Sequence, residues 1–382
     1  MSRSICTLVI SASLASGCAA PDMAQGRASF SARSVPGTAA VNDAFIETIN
    51  GAETQLRIAL PTLSDPGLAD AIPAKHPDCN HREVVTDEDQ AGDSGVVALL
   101  DAGVPVTLAD GGVTYFDFNL NQDVSWSSGS VAMTNAFVVA DSMRVTAADR
   151  AGDEAEGHRV LIQAVNQWMA EDLEAEHNQL MGGTDASSLT AFSSLAKSIL
   201  DSRWAYWTED QVTAEMWFGP QERLIKRLID ATYRAQASVW ILTAELQDEG
   251  LARALQAKAA NGFDVQVIVG PEHANSIFGP SVVLARETPD VLKYRATQDG
   301  PTPTVVVIDY APDAQGFRRT TQAFVLTHPI VSAARLFQES EVETDQLMDG
   351  TLWVLRELDA PSDDLESLVE LQQVHLDTAE VL

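Results

Sequence analysis

Residues 50 to 72, NGAETQLRIALPTLSDPGLADAI, align without a gap to residues 233 to 255, YRAQASVWILTAELQDEGLARAL. Identical pairs are Ala52/Ala235, Ile58/Ile241, Leu63/Leu246, Asp65/Asp248, Gly67/Gly250, Leu68/Leu251, Ala69/Ala252 and Ala71/Ala254. Each copy has an apolar run of strand length, a turn holding Asp and Gly, and then apolar residues at helical spacing. A strand-turn-helix unit that recurs about halfway along a chain marks duplication of a whole half.

Around the first copy, Phe45, Ile46 and Ile49 predict a helix that Gly51 stops, and LRIAL (56–60) predicts a strand. Asp65-Pro66-Gly67 opens a second helix. REVVT (82–86) reads as a strand, GVVALLDAG (95–103) as a helix and VPVTL (104–108) as a strand. This β-α-β rhythm predicts an α/β fold, with a mostly parallel or mixed sheet flanked by helices in each half. In the second half KAANGFDVQVIVG (258–270) repeats the helix, Gly turn and apolar strand, and TVVVID (304–309) repeats AFVVAD (136–141). Asp309 is thus the counterpart of Asp141.

The chain has 382 residues, 45% of them hydrophobic, enough for one large or two ordinary cores. Its 55 acidic residues outweigh 24 basic ones, a formal charge of -31. An evenly spread negative charge repels phosphate backbones and acidic membrane surfaces, so nucleic acid is excluded as a partner.

The start, MSRSICTLVISASLASGCAA, has Arg3, an apolar run from Ile5 to Leu14 and small residues up to Cys18. The run is too short to span a bilayer as a mature helix, and no later segment approaches ~18 consecutive apolar residues. Leu14-Ala15-Ser16-Gly17-Cys18 resembles a bacterial lipobox. That resemblance implies a signal peptide over 1–17, a lipid anchor on Cys18 and a secreted protein; secretory cleavage near Ala20 is the alternative. Ala19 at the second mature position implies an outer-membrane address. Residues 18–40, rich in Ala, Ser, Gly and Pro, read as a tether, with folded structure beginning near Val41. Cys6 leaves with the signal and Cys18 is acylated, so Cys79 remains as a free thiol without a disulfide partner.

With its two α/β halves and paired strands ending in Asp, the chain resembles the phospholipase D superfamily from about Val41 to Leu358. The residues that carry the resemblance are IDATYRAQASVWILTAELQDEGLARALQAKAANGFDVQVIVG (229–270), the REVVTDED strand and turn, and GHRVLIQAVNQWMAEDLEAEHNQLMGG (157–183). The resemblance implies two halves, 41–183 and 215–358, joined as one pseudo-twofold unit through a connecting segment, 184–214. An acidic C-terminal helix or tail follows at 359–382. In that family each half supplies His, any residue, Lys, four residues and Asp, then Gly-Ser and Asn further on. One His attacks phosphorus, the other protonates the leaving oxygen, and the Lys pair with Asn holds the phosphate charge.

Counting back from Asp141 puts Ala136 at the Lys place and Thr134 at the His place. Counting back from Asp309 gives Thr304 and Thr302. The Gly-Ser-Asn region holds TAADRA (146–151) in one half and LTHP (326–329) in the other. Threonine neither forms a stable phosphohistidine nor carries positive charge to phosphate, so the motif reads as degenerate. A carboxylate that caps the turn after a buried strand accounts for each Asp without catalysis.

His158 and His328 are the candidate substitutes for a relocated pair, with Arg318, Arg319 and Arg335 as sources of charge. His76-Pro77-Asp78-Cys79-Asn80-His81 offers His76, Cys79 and His81 to a metal, although its Pro and tight spacing also suit an ordinary loop. Thr327, His328, Ser332, Asp345, Gln346 and Asp349 are expected near the cleft of the resemblance, where a site without catalysts still binds. SDDLESLVELQQVHLDTAEVL (362–382) predicts an N-capped helix docked on its own domain or on a partner. These readings converge on a phospholipase D-like cell-envelope lipoprotein, catalytically degenerate, without a cofactor, acting in binding or scaffolding. The alternative is an active phosphodiesterase or phosphatidyltransferase on envelope phospholipids with a relocated site; a metal-dependent hydrolase is a third reading.

Overall fold

A computed structural model describes residues 29–75, 79, 81–117, 122–126, 131–154, 156–181, 190–197, 206–207, 213–219, 223–270, 284, 286–288, 290–295, 303–310, 321–330, 347–357 and 363–381. In the first half the strands are β1 (Ser29–Pro36), β2 (Gln55–Ala59), β3 (His81–Asp87), β4 (Val106–Asp117), β5 (Gln122–Trp126), β6 (Val131–Met133), β7 (Phe137–Ala140), β8 (Arg144–Ala148), β9 (His158–Val165) and β10 (Thr190–Lys197). Its helices are α1 (Gly37–Gly51), α2 (Pro66–Ala74), α3 (Ser94–Asp101) and α4 (Gln167–Leu180). The rest of the chain forms β11 (Tyr206–Trp207), β12 (Thr213–Phe218), α5 (Leu224–Arg234), β13 (Ser238–Thr243), α6 (Glu249–Ala260), β14 (Asp264–Val269), β15 (Leu292–Arg295), β16 (Thr304–Ile308), β17 (Thr321–Leu326), β18 (Leu347–Asp349), β19 (Thr351–Glu357), α7 (Asp363–Thr378) and β20 (Ala379–Val381).

The two sheets repeat one topology. The first runs β1-β9-β8-β7-β2-β3-β4-β10, and the second, inside its edge strand β11, runs β12-β19-β17-β16-β13-β14-β15-β20. Position by position the strands correspond. β2-β3-β4 and β13-β14-β15 are parallel ladders, while the β7, β8, β9 and β1 side and its counterpart are antiparallel, so each sheet is mixed. The outermost pair differs: β10 lies parallel to β4, β20 antiparallel to β15.

The repeat persists at side-chain level. Asp65 caps α2 by accepting from the Leu68 amide at 2.8 Å, and Asp248 caps α6 by accepting from Leu251 at 2.6 Å. Gly67 and Gly250 lie where a Cβ would meet Ile46 at 2.9 Å and Ile229 at 3.1 Å, which lets each second helix approach the first closely. Lys75 Nζ donates to the Ala52 carbonyl at 3.1 Å and Lys258 Nζ to the Ala235 carbonyl at 2.5 Å, tying each helix end to the turn before the central strand.

Three apolar cores divide the molecule into five layers. α1, α2 and α3 cover one face of the first sheet through Phe45, Ile49, Leu68 and Val96 against Leu56, Ile58 and Val138. α5 and α6 cover the far face of the second through Leu228, Leu251 and Leu255 against Val239, Ile241 and Val306. Between the sheets, α4 and α7 share a core with both: Leu173 and Leu368 pack in one cluster with Phe137, Val139, Val305, Val307 and Trp353. Alternate residues of β7 and β16 therefore face different cores, which is why both strands are buried at every position.

Three expected boundaries move. Residues before Val41 are already folded: β1 pairs with β9 from Ser29↔Val165 to Pro36↔His158 and so belongs to the sheet, not to a tether. Thr190–Lys197, in the expected connecting segment, joins the first sheet, and Tyr206–Trp207 and Thr213–Phe218 join the second. The C-terminal helix is part of the second half: α7 fills the place that α4 fills in the first, with Leu365, Leu368 and Leu371 buried. The calls on residues 1–28, including Cys18, lie outside the described residues. Among the described residues no helix is long and apolar enough to cross a membrane.

Candidate functional site

The registers of the central hairpins test the alignment of Asp141 with Asp309. β2 and β7 pair Leu56↔Ala140 through Ala59↔Phe137, and β13 and β16 pair Val239↔Ile308 through Leu242↔Val305. Equivalent residues occupy equivalent rungs. Asp141 and Asp309 stand just past the strand ends, both with left-handed backbone (φ 56° and 60°), a conformation that Asp tolerates better than most residues.

Both carboxylates grip the chain entering the central strand. Asp141 Oδ1 accepts from the Thr54 amide at 2.7 Å and hydroxyl at 2.9 Å, and Oδ2 accepts from Arg144 at 2.9 Å. Asp309 Oδ1 accepts from the Gln236 and Ala237 amides at 2.7 Å each. Partial burial pushes the Asp141 carboxyl up, but the Thr54 and Glu53 amides, the Thr54 hydroxyl and Arg144 outweigh it and hold it at about 2.

The motif's other end lies at the opposite edge of the sheets, where the halves meet. Ala136 is buried among the outer core residues of the first half, and Thr304 is buried with its hydroxyl 3.1 Å from that of Thr243. Both Lys places thus hold neutral buried side chains. Thr134, half-buried, has its hydroxyl 3.1 Å from that of Thr327, 193 residues away in sequence. The Thr351 hydroxyl donates to the Asn135 side-chain oxygen at 2.6 Å, and β6 lies parallel to β18 from the other half. Gly350 makes the approach feasible: a Cβ there would press on Thr134 Oγ1, Thr327 Oγ1 and His328 Cδ2.

The Gly-Ser-Asn region differs between halves. Thr327 Oγ1 accepts from the Thr351 amide at 3.0 Å, and in the first half Asp149 Oδ1 makes the equivalent bond to the Val160 amide at 2.6 Å. The first-half counterpart of Gly350 is Arg159, 1% exposed and ion-paired with Asp149 at 3.1 Å. Burial pushes the Asp149 carboxyl up, opposed by Arg159 and the Val160 amide. Arg150, the counterpart of His328, is ion-paired with Asp153. At the end of β3, Asp87 accepts from the Met133 amide at 2.8 Å; burial outweighs that bond and pushes its carboxyl up.

His158 and His328 lie against different neighbours. His158 Nδ1 is 3.2 Å from Ser34 Oγ, and its ring packs edge-on against His375 of α7 at 6.2 Å between centroids. His328 is buried at the end of β17, its Nδ1 2.6 Å from the Pro329 carbonyl oxygen; burial pushes its imidazole down, against that hydrogen bond. Thr302, Arg318, Arg319, Ser332, Arg335, Asp345 and Gln346 lie outside the described residues, and Asp349 is placed as the end of β18. Of the metal candidates, His76 lies outside them, Cys79 is buried, and His81 opens β3.

Sequence reasoning missed Asn135, Asp149, Arg159, Gly350 and Thr351. Asp149 and Thr327 both follow the second strand of a repeated hairpin, a signal readable once β8 and β17 are aligned. The pairing of Thr134 with Thr327 has no local sequence signal.

No family model and no curated protein sequence matches the chain. Solved structures do. Phosphatidylserine synthase from Haemophilus influenzae Rd KW20 is similar over 92% of this chain and 87% of its own, at 12% identity and a TM-score of 0.59. Polyphosphate kinase from Porphyromonas gingivalis is similar over 91% of this chain, at 9% identity and a TM-score of 0.54; this chain spans 50% of its length. A phospholipase D family member, Nuc from Salmonella typhimurium, matches 40% of this chain at 16% identity and a TM-score of 0.30. The first of these likenesses spans nearly all of both chains, and the chain shares its two-half fold with that synthase.

Proposed function

We propose that this chain is a catalytically degenerate phospholipase D-like protein of the cell envelope, held in the outer membrane by a lipid on Cys18 and facing the periplasm or the cell surface, where it binds or scaffolds. The observation that supports this reading is the neutral, buried pair Ala136 and Thr304 at the two Lys places. Phosphoryl transfer in this fold depends on positive charge held against the phosphate oxygens. Alanine and a hydroxyl bonded to Thr243 supply none. The ion pairs of Arg150 and Arg159 with Asp153 and Asp149 already engage the cations at this level of the first half.

The test is turnover by the chain from residue 19 onward on a panel of phospholipids and an activated phosphodiester, with acid-stable and acid-labile phosphoenzyme both assayed. The expected result is no turnover above that of the His328→Ala variant. Turnover that disappears in His328→Ala or His158→Ala overturns the reading in favour of a relocated phosphodiesterase site.

A further inference from the structure

The outer helices of the two halves correspond residue by residue. Gly67 faces Ile46 as Gly250 faces Ile229, and Lys75 reaches the Ala52 carbonyl as Lys258 reaches that of Ala235. The gapless alignment of residues 50–72 with 233–255 therefore extends back through α1 and α5. On it, Asp43 of α1 corresponds to Lys226 of α5, and Asp70 of α2 to Arg253 of α6; all four are exposed. Two equivalent surface positions have opposite charge.

The helices around them follow the same division. α1 and α2 with their caps carry Asp43, Glu47, Asp65 and Asp70 against Lys75. α5 and α6 with their caps carry six cations, from Arg223 to Lys258, against Asp230, Asp248 and Glu249. Six of the chain's 24 basic residues thus gather on one outer layer of a molecule charged -31. Lys226 pairs with Asp230 and Arg253 with Glu249, but both pairs are solvent-exposed and hold their members loosely. Arg234 is exposed and forms no ion pair among the described residues. Each layer also presents one large apolar side chain to solvent, Tyr233 on α5 and Val97 on α3.

The acidic and basic layers lie at opposite ends of the five, so one molecule cannot bring its own two faces together. A second copy can. We propose that the basic face of α5 and α6 docks on the acidic face of α1 and α2 of another copy, so that the chain associates head to tail. The contact joins unlike faces and leaves one of each unused at the two ends, which makes the assembly open-ended. Negative charge elsewhere on the surface disfavours other approaches and so selects this orientation. The inference goes beyond the function proposed above and is independent of catalysis: phosphodiester turnover overturns that reading and leaves this one standing.

The experiment is sedimentation velocity of the chain from residue 19, which contains every described residue, in about 0.15 M and about 1 M salt, where charges act over about 8 Å and about 3 Å. The expected result is a sedimentation coefficient that rises with protein concentration up to about 100 μM in the lower salt and stays at the monomer value in the higher. Asp43→Lys with Asp70→Arg makes both faces basic, and Lys226→Asp with Arg253→Asp makes both acidic. Each double variant alone is expected to self-associate at least tenfold more weakly, and an equimolar mixture of the two to recover the association. Wild-type chain that is monomeric throughout, or whose association high salt leaves unweakened, overturns the proposal, and these readings need no variant to fold. So does undiminished self-association of either variant, or a mixture that recovers nothing although both variants keep the wild-type circular dichroism. Monomeric wild-type chain that sediments with phosphatidylglycerol vesicles identifies an acidic membrane as the occupant of the basic face, and likewise overturns the proposal.

Discussion

Asp141 and Asp309, 168 residues apart, hold the same clasp in the two halves: each takes left-handed backbone after an apolar strand and binds the amides that lead into the central strand beside it. The clasp accounts for a carboxylate at both motif ends without substrate. Removal of Asp309 leaves the Gln236 and Ala237 amides without their acceptor, so Asp309→Ala is expected to cost about 2–3 kcal/mol in urea unfolding. Asp309→Gly loses the clasp but relieves the left-handed strain, and is expected to be about 1 kcal/mol less damaging than Ala.

Asp141 sets an acid limit on stability. Its carboxyl is held at about 2 in the folded chain against an ordinary 3.8, so the folded state binds the proton less readily than the unfolded one. Its contribution is present above pH 4 and is lost as the pH falls toward 2. Asp141→Asn is expected to flatten the pH dependence of the unfolding midpoint in that window.

His177 acts at higher pH. Buried in α4, with Nε2 3.2 Å from the carbonyl oxygens of Ile58 and Glu83, it is held neutral at about 3, chiefly by burial and then by Arg57. The unfolded chain binds a proton near 6.5 that the folded chain refuses, so stability is full above that pH and declines as the pH falls from 6.5 toward 3. His177→Gln is expected to reduce this slope, measured as unfolding midpoint against pH, whatever its effect at neutral pH.

Gly350→Ala is expected to destabilise by about 1–3 kcal/mol, because the new methyl presses on Thr134, Thr327 and His328. Thr134→Ala removes one of the opposing atoms. The double variant is then expected to be less destabilised than the two single losses added together, a coupling that a double-mutant cycle reads directly.

Arg159→Met leaves Asp149 buried without its cation, and a loss of about 3–5 kcal/mol is expected. Asp149→Thr in the same chain removes the stranded charge and keeps a group that accepts from the Val160 amide, as Thr327 does for Thr351. The double variant is expected to recover part of the loss in the same unfolding assay.

The sequence by itself determined the duplication, the β-α-β order, the helix starts at Asp65 and Asp248 and the equivalence of Asp141 with Asp309. All of these are written in local pattern: apolar period, capping residue, and the repetition of both in the same order. The tertiary structure decided what pairs at a distance. SFSARSVP (29–36) has the composition of a tether and becomes a strand because β9 offers it an edge, and the C-terminal helix becomes a core element because the two sheets leave it a layer between them. It also decided that Thr134 meets Thr327, that Asp149 holds Arg159, and that His328 and His158 part company. Local periodicity reports that a face is buried, and carries no information on which distant residue buries it.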